Sequence, residues 1–211
     1  MNKNHYKVLQ EMNERGARLL NSEIPGVNIP DAQMGEWKVE KFTVSEEDAR
    51  FFNLRCFMHR DFDRMIVPGT YTKLTYRDFI IMSDTPAEKR DHLGIVKRAR
   101  GRILINGLGL GVVLQAILLK PEVYKVDVVE ISEEVIWLVA PYIGDERVTI
   151  YHADAFTWKP PKGVRYNVIW HDIWYTLSED NLSEMKKLHR RYGRKCDWQG
   201  SWGRDCLKSR R

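Results

Sequence analysis

The chain has 211 residues, 43% of them hydrophobic and 30% charged, which suits one sizeable core and excludes two large independent domains. Its formal charge of +5 is not evenly spread. Residues 190–211 hold eight basic side chains (Arg190, Arg191, Arg194, Lys195, Arg204, Lys208, Arg210, Arg211) against Asp197 and Asp205, leaving a nearly neutral body of 26 basic and 27 acidic residues.

Three cysteines, Cys56, Cys196 and Cys206, form no CxxC pair and leave an odd one over. That argues against a disulfide framework or zinc knuckle and for a reducing, cytoplasmic compartment, and no metal site is expected. The polar start, MNKNHYKVLQ, has no apolar leader, and the most apolar stretch, 103–119, is broken by Asn106, three glycines and Gln115. The reading is a soluble chain without secretion signal or membrane span.

Taken in chain order, residues 5–21 carry Leu9, Met12, Leu19 and Leu20 at roughly helical spacing, which predicts a surface helix ended by PGVNIP at 25–30. WKVEKFTV (37–44) alternates like a strand. Ser45, followed by Glu46, Glu47 and Asp48, reads as the N-cap of a helix running to about His59. Residues 71–76 and 79–82 flank the polar Arg77-Asp78 and predict a hairpin; Thr85-Pro86 opens a helix to about Arg98. Residues 1–99 are thus a small α/β segment.

From Arg102 the pattern becomes a regular alternation: strand 102–106, a glycine cluster, helix 112–119, strand 125–131, helix 133–143, strands 147–152 and 166–170, and a helix from about Ser178 to Arg191. Strands separated by helices imply a parallel sheet of Rossmann-like α/β class over 100–192. Residues 193–211 show no clear apolar strand and read as a basic tail, so the sheet is expected to be shortened at its C-terminal side, completed in cis or by another subunit, or the tail packs irregularly through Trp198, Trp202 and Leu207. Its basic residues, interleaved with Tyr192, Trp198 and Trp202, could contact nucleic acid through phosphates and stacking, or form a solvated terminus with its aromatics docked on the body.

Gly107-Leu108-Gly109-Leu110-Gly111 stands between a strand and a helix, where a tight turn and close approach of a ligand to the backbone both call for glycine. Glu130 follows at the end of the next strand, placed to accept the two hydroxyls of a ribose. A nicotinamide fingerprint would need glycine or alanine at 112, where the chain has Val112. Asp154, after the third strand, could bond an adenine amino group or equally cap a turn. Asp172, after the fourth, lies where open α/β sheets bind ligands and could orient an acceptor and take its proton, with Trp170, Trp174 and Tyr175 forming an apolar or cation-binding wall. His171 beside it could be a base or a structural hydrogen-bond partner.

The run GLGLGVVLQAILLKPEVYKVDVVEI, then RVTIYHADAF and YNVIWHDIW, resembles the class I S-adenosylmethionine-dependent methyltransferases, and within them the spermidine synthase-like group. The resemblance covers about residues 100–190. It implies that Gly107, Gly109 and Gly111 pass beside the methionine part of S-adenosylmethionine, that Glu130 with Ile131 holds the ribose, that Asp154 with Ala155 reads the adenine, and that Asp172 is catalytic. The polyamine signature is missing: DIWYT follows the fourth strand, and MSDTPAEKRDH precedes the glycine loop. The Asp/Asn-Pro-Pro-Tyr motif of DNA amino-methyltransferases is missing too. The expected activity is therefore methyl transfer to a small-molecule or unidentified acceptor. The alternatives are aminopropyl transfer from decarboxylated S-adenosylmethionine and a non-catalytic nucleotide- or nucleic-acid-binding protein. A homo-oligomer is compatible with the shortened sheet.

Overall fold

The computed structural model describes residues 3–209. Helix α1 (Lys3–Glu23) leads into an antiparallel sheet of β1 (Ala32–Met34), β2 (Trp37–Val44), β3 (Gly69–Tyr76) and β4 (Phe79–Ser83), ordered as written, with α2 (Glu46–His59) between β2 and β3. The expected surface character of α1 holds: Leu20 is buried, Met12 and Leu19 are exposed, and the Leu9 side chain lies outside the described residues. The acidic start of α2 is a full capping box between Ser45 and Asp48. Helix α3 (Pro86–Arg98) follows β4 with proline in its first turn.

The second sheet is parallel and five-stranded: β5 (Gly101–Asn106), β6 (Val123–Glu130), β7 (Val148–His152), β8 (Tyr166–His171) and β9 (Cys196–Ser201), in the order β7-β6-β5-β8-β9. Helices α4 (Val112–Leu118), α5 (Glu133–Val139), α6 (Asn181–Tyr192) and α7 (Arg204–Ser209) connect or follow these strands. This is the Rossmann-like architecture expected. The helix expected over 133–143 instead ends at Val139 and tightens into a 3₁₀ turn at Ala140–Tyr142, where Pro141 cannot donate to the helical ladder.

The reading of 193–211 as a tail without a strand is corrected. Residues 196–201 pair in parallel with β8, from Tyr166↔Cys196 to His171↔Ser201, and place a fifth strand at the sheet edge. CDWQGS escapes recognition because an edge strand needs apolar contacts on few positions and its polar side chains have work of their own. Asp197 accepts from Arg165 and Asn167 of the neighbouring strand region, and Gln199 donates to the His189 carbonyl. The aromatics are docked on the body: Tyr192 is fully buried, and Trp198 stacks on Trp170 at 6.4 Å with the Arg98 guanidinium 5.0 Å from its ring centre. Arg191 is tied to the carbonyls of Thr157 and Trp158, while Arg210 and Arg211 lie outside the described residues.

Two apolar clusters cover the faces of the parallel sheet. One unites Leu20, Ile24, Val39, Leu74 and Ile95 of the first 99 residues with Ile103, Ile105, Val126, Val128 and Val168, so the N-terminal segment shares its core with the sheet. The other joins Leu104, Val129 and Ile169 to Met185, Leu188 and Tyr192 of α6 and to Leu207 of α7. The consequence for function is geometric: the four-stranded sheet and α3 are held against the carboxyl ends of the parallel strands. No helix among the described residues is long and apolar enough to cross a membrane, and Cys56 and Cys196 are buried free thiols.

Candidate functional site

A cavity of about 440 Å³ opens at the carboxyl ends of the parallel strands, within the range of roughly 300–1,000 Å³ usual for small-molecule sites. All five strand ends supply wall residues: Gly107 to Gly109 after β5, Glu130 and Ile131 at β6, Ala153 to Phe156 after β7, Asp172 to Tyr175 after β8, and Trp202 after β9. Strand order reverses between β5 and β8, and such a switch point leaves a crevice because the connections depart in opposite directions. The roof comes from the N-terminal segment through Trp37, Met82, Glu88 and His92.

The glycine loop is shaped by contacts with protein as much as by room for a ligand. At Gly107, with φ of 98°, a Cβ would collide with the Asp172 carbonyl oxygen, so glycine here lets the ends of β5 and β8 touch. At Gly109, with φ of 50°, the space a Cβ would need holds the Met82 sulfur, which also accepts the Leu110 N–H at 3.0 Å. Gly111 does not line the cavity: it caps α4 in the left-handed conformation and faces Val139 and Ile143. Of the three glycines expected beside a ligand, two are therefore in the wall and the third serves packing between α4 and α5.

Glu130 is buried at the end of β6 and fixed by backbone donors. Its Oε2 accepts from Leu108 N–H at 2.7 Å, and its Oε1 from the N–H groups of Ile131 and Ser132, both at 2.9 Å. The carboxylate thus ties the glycine loop to the start of α5. Oε2, with one donor against it, keeps capacity for a further hydrogen bond from the cavity side. Asp154 takes the turn role weighed for it, its Oδ1 accepting from Phe156 N–H at 2.8 Å, yet it also lines the cavity beside Ala155 and its Oδ2 has no partner among the described residues.

Asp172 faces the cavity with a side chain 20% exposed. Burial, followed by the negative charges of Glu88, Asp91 and Glu130, pushes its carboxyl up to about 7; the Trp170 indole N–H lowers it in part. That indole makes no hydrogen bond of full geometry. Glu88, held by Ser83 N–H at 2.6 Å and Ser83 Oγ at 2.8 Å, is likewise pushed up to about 7, chiefly by burial. His92 Nδ1 lies 3.8 Å from Asp172 Oδ2, too far for a hydrogen bond, and burial lowers its pKa to about 4. A neutral imidazole cannot offset the carboxylate charge, which is why Asp172 is not held ionised as an ion pair would hold it. Two acids poised near neutrality beside a neutral histidine form a group able to accept and hold a proton at physiological pH.

The histidine on the aspartate is therefore His92 and not His171. His171 is fully buried, meets Asn106 at 2.7 Å and Gln199 at 3.2 Å, and its pKa is lowered to about 3 by burial, which gives it the structural role. The wall expected from Trp170, Trp174 and Tyr175 is present, with Trp174 donating to Glu184 at 2.7 Å. Tyr175 also meets Trp37 edge-on at 5.7 Å, closing the wall against the N-terminal sheet. Glu88, His92, Trp37 and Met82 are not singled out by the sequence, and Trp202 is read there only as a tail aromatic. The only signal was the four-residue spacing of Glu88 and His92, which puts both on one face of α3.

No protein-family model matches this chain, and no curated protein matches it in sequence. Among solved structures, it is similar to the N-methyltransferase NodS from Bradyrhizobium japonicum WM9, with a TM-score of 0.43 and 12% identity over 54% of this chain and 64% of that one. A complex of NodS with S-adenosyl-L-homocysteine gives 0.41 and 11% over 52% and 56%. A dimethyladenosine transferase from Plasmodium falciparum gives 0.34 and 23% over 46% and 35%. The matched part spans less than two thirds of each of those chains.

Proposed function

We propose that this protein transfers a methyl group from S-adenosylmethionine to an acceptor held between Asp172 and the aromatic wall. The observation that carries the reading is the convergence of Glu130, Asp154, the glycine loop and Asp172 on one cavity at the switch point of the sheet. The residues suit the donor: Glu130 Oε2 and Asp154 Oδ2 retain accepting capacity on the cavity side, where ribose hydroxyls and an adenine amino group would donate.

The donor supplies an electrophilic methyl carbon on a positively charged sulfur. The chain's own residues do the rest. The acceptor's lone pair forms the new bond as the carbon–sulfur bond breaks, and Asp172 takes the acceptor's proton, its elevated pKa matching the working pH. Trp37, Trp170, Trp174 and Tyr175 exclude water and hold the acceptor in line.

Aminopropyl transfer from decarboxylated S-adenosylmethionine is the second reading, and one feature favours it. Among the described residues, five carboxylates (Glu88, Glu130, Asp154, Asp172, Glu184) and no lysine or arginine line the cavity, so a donor carboxylate would meet no side-chain cation from them, whereas a decarboxylated donor needs none. Incubation with each sulfonium donor, followed by mass spectrometry of the nucleoside released, separates the two. S-adenosylhomocysteine supports methyl transfer and methylthioadenosine supports aminopropyl transfer; neither product, with neither donor bound, removes both and leaves a non-catalytic protein.

A further inference from the structure

Helix α2 is turned inside out. Its buried stripe is Ala49, Asn53 and Cys56, small or polar residues. Asn53 anchors the helix through its amide, donating to the Ile66 carbonyl and accepting from the Ile66 N–H, both at 2.8 Å. The large apolar side chains point the other way: Phe51 is 69% and Met58 72% exposed, with Phe52, Leu54, Phe57 and Phe62 also exposed. Phe51, Leu54 and Met58 recur at three- and four-residue spacing and so share one outward stripe. A contiguous apolar face of this kind on a water-facing helix is a protein-contact signature, not ordinary scatter.

The charges on the same helix indicate the occupant. Its first half carries Glu46, Glu47 and Asp48 against Arg50, while its second half carries Arg55 and is followed by Arg60 and then Asp61. A helix with a net negative first half and a net positive second half is complementary to itself when reversed. We infer that α2 is the centre of a homodimer in which two copies pair antiparallel about a two-fold axis, with Phe51, Leu54 and Met58 packed across it and the acidic start of each helix facing Arg55 and Arg60 of the other. An isologous contact of this form closes on itself and leaves no apolar stripe free. An anionic lipid surface would instead be repelled by the three acids.

Sedimentation velocity on the full chain from low to high micromolar concentration tests this. The wild type should sediment at twice the mass of the chain, and Phe51→Glu and Met58→Glu should each give a monomer with unchanged far-UV circular dichroism, because both side chains are exposed. The direction of pairing has its own test. Glu47→Lys and Arg55→Glu should each weaken dimerisation about tenfold or more, since each brings like charges together, and an equimolar mixture should recover it as a heterodimer in which positions 47 and 55 are again opposite in sign at both crossings. A wild type that stays monomeric, whatever else covers the face, or a dimer indifferent to Phe51→Glu and Met58→Glu, overturns the interface. Failure of the two charge variants to rescue one another overturns the antiparallel arrangement.

Discussion

Replacing Asp172 by asparagine should make the protein more stable as pH rises while it slows turnover. In the folded chain the carboxyl sits at about 7, against 3.8 for the free group. A folded pKa above the unfolded one means that the native state holds the proton more tightly. Stability is therefore greatest below about pH 3.8, falls as pH rises from there, and reaches its floor above about pH 7. With ~1.36 kcal/mol per unit of pKa, the whole shift amounts to about 4 kcal/mol, of which about two thirds develops between pH 5 and pH 8. Cavity water reaching the exposed fifth of the side chain reduces this to about 1–3 kcal/mol. The asparagine carries no such contribution, so the difference in melting temperature between variant and wild type should widen by roughly 2–12 °C over that interval, at ~2–4 °C per kcal/mol for a chain of this size. Thermal denaturation of both proteins at pH 5, 6, 7 and 8 measures it. Glu88 titrates in both, so it largely cancels; the double variant Asp172→Asn with Glu88→Gln measures the remaining coupling. A gap constant across that range would show that Asp172 is ionised throughout, and the proton-accepting role argued from its elevated pKa would fall with it.

Three further outcomes follow from the same geometry. Glu130→Gln places an amide N–H against backbone donors that now bond to a carboxylate; calorimetric titration with S-adenosylmethionine should show at least a hundredfold loss of affinity, about 2.7 kcal/mol, with stability reduced by ~1–3 kcal/mol. Gly107→Ala drives a methyl group into the Asp172 carbonyl at a backbone angle unsuited to alanine and should cost more than ~3 kcal/mol, visible in urea unfolding; a variant as stable as wild type would contradict the close approach of β5 and β8. Truncation after Tyr192 removes β9 and uncovers Val168 and Trp170, so the shortened chain should lose its cooperative melting transition, whereas a dispensable basic tail would leave it intact.

How far the structure was legible varied with the range of the interactions involved. The β-α alternation from β5 to α6 could be read because each unit signals itself: apolar runs such as RILIN between helices at helical period, and a glycine cluster that only a turn between strand and helix accommodates. The same locality made Glu130, Asp154 and Asp172 visible as acids at strand ends. The sequence could not separate a glycine that faces the cavity from one that faces a neighbouring helix, because both need the same backbone angle; Gly109 and Gly111 differ only in what stands opposite. Nor could it place β9, whose pairing with β8 is what makes CDWQGS a strand.

By itself, then, the sequence determined the fold class, the position of the glycine loop, and the strand-end carboxylates, since these depend on local period, backbone freedom and the alternation of elements. Tertiary structure alone decided which histidine meets Asp172. His171 is its neighbour in the chain but ends the strand with its ring buried between Asn106 and Gln199, whereas Asp172 lies just past the strand end, where the cavity opens. His92 and Glu88 arrive from α3, distant in sequence, because burial of Ile95 and Val96 fixes that helix over the end of β8. The proton-handling character of the site arises from that packing, through burial of acids that would be ordinary carboxylates on an open surface.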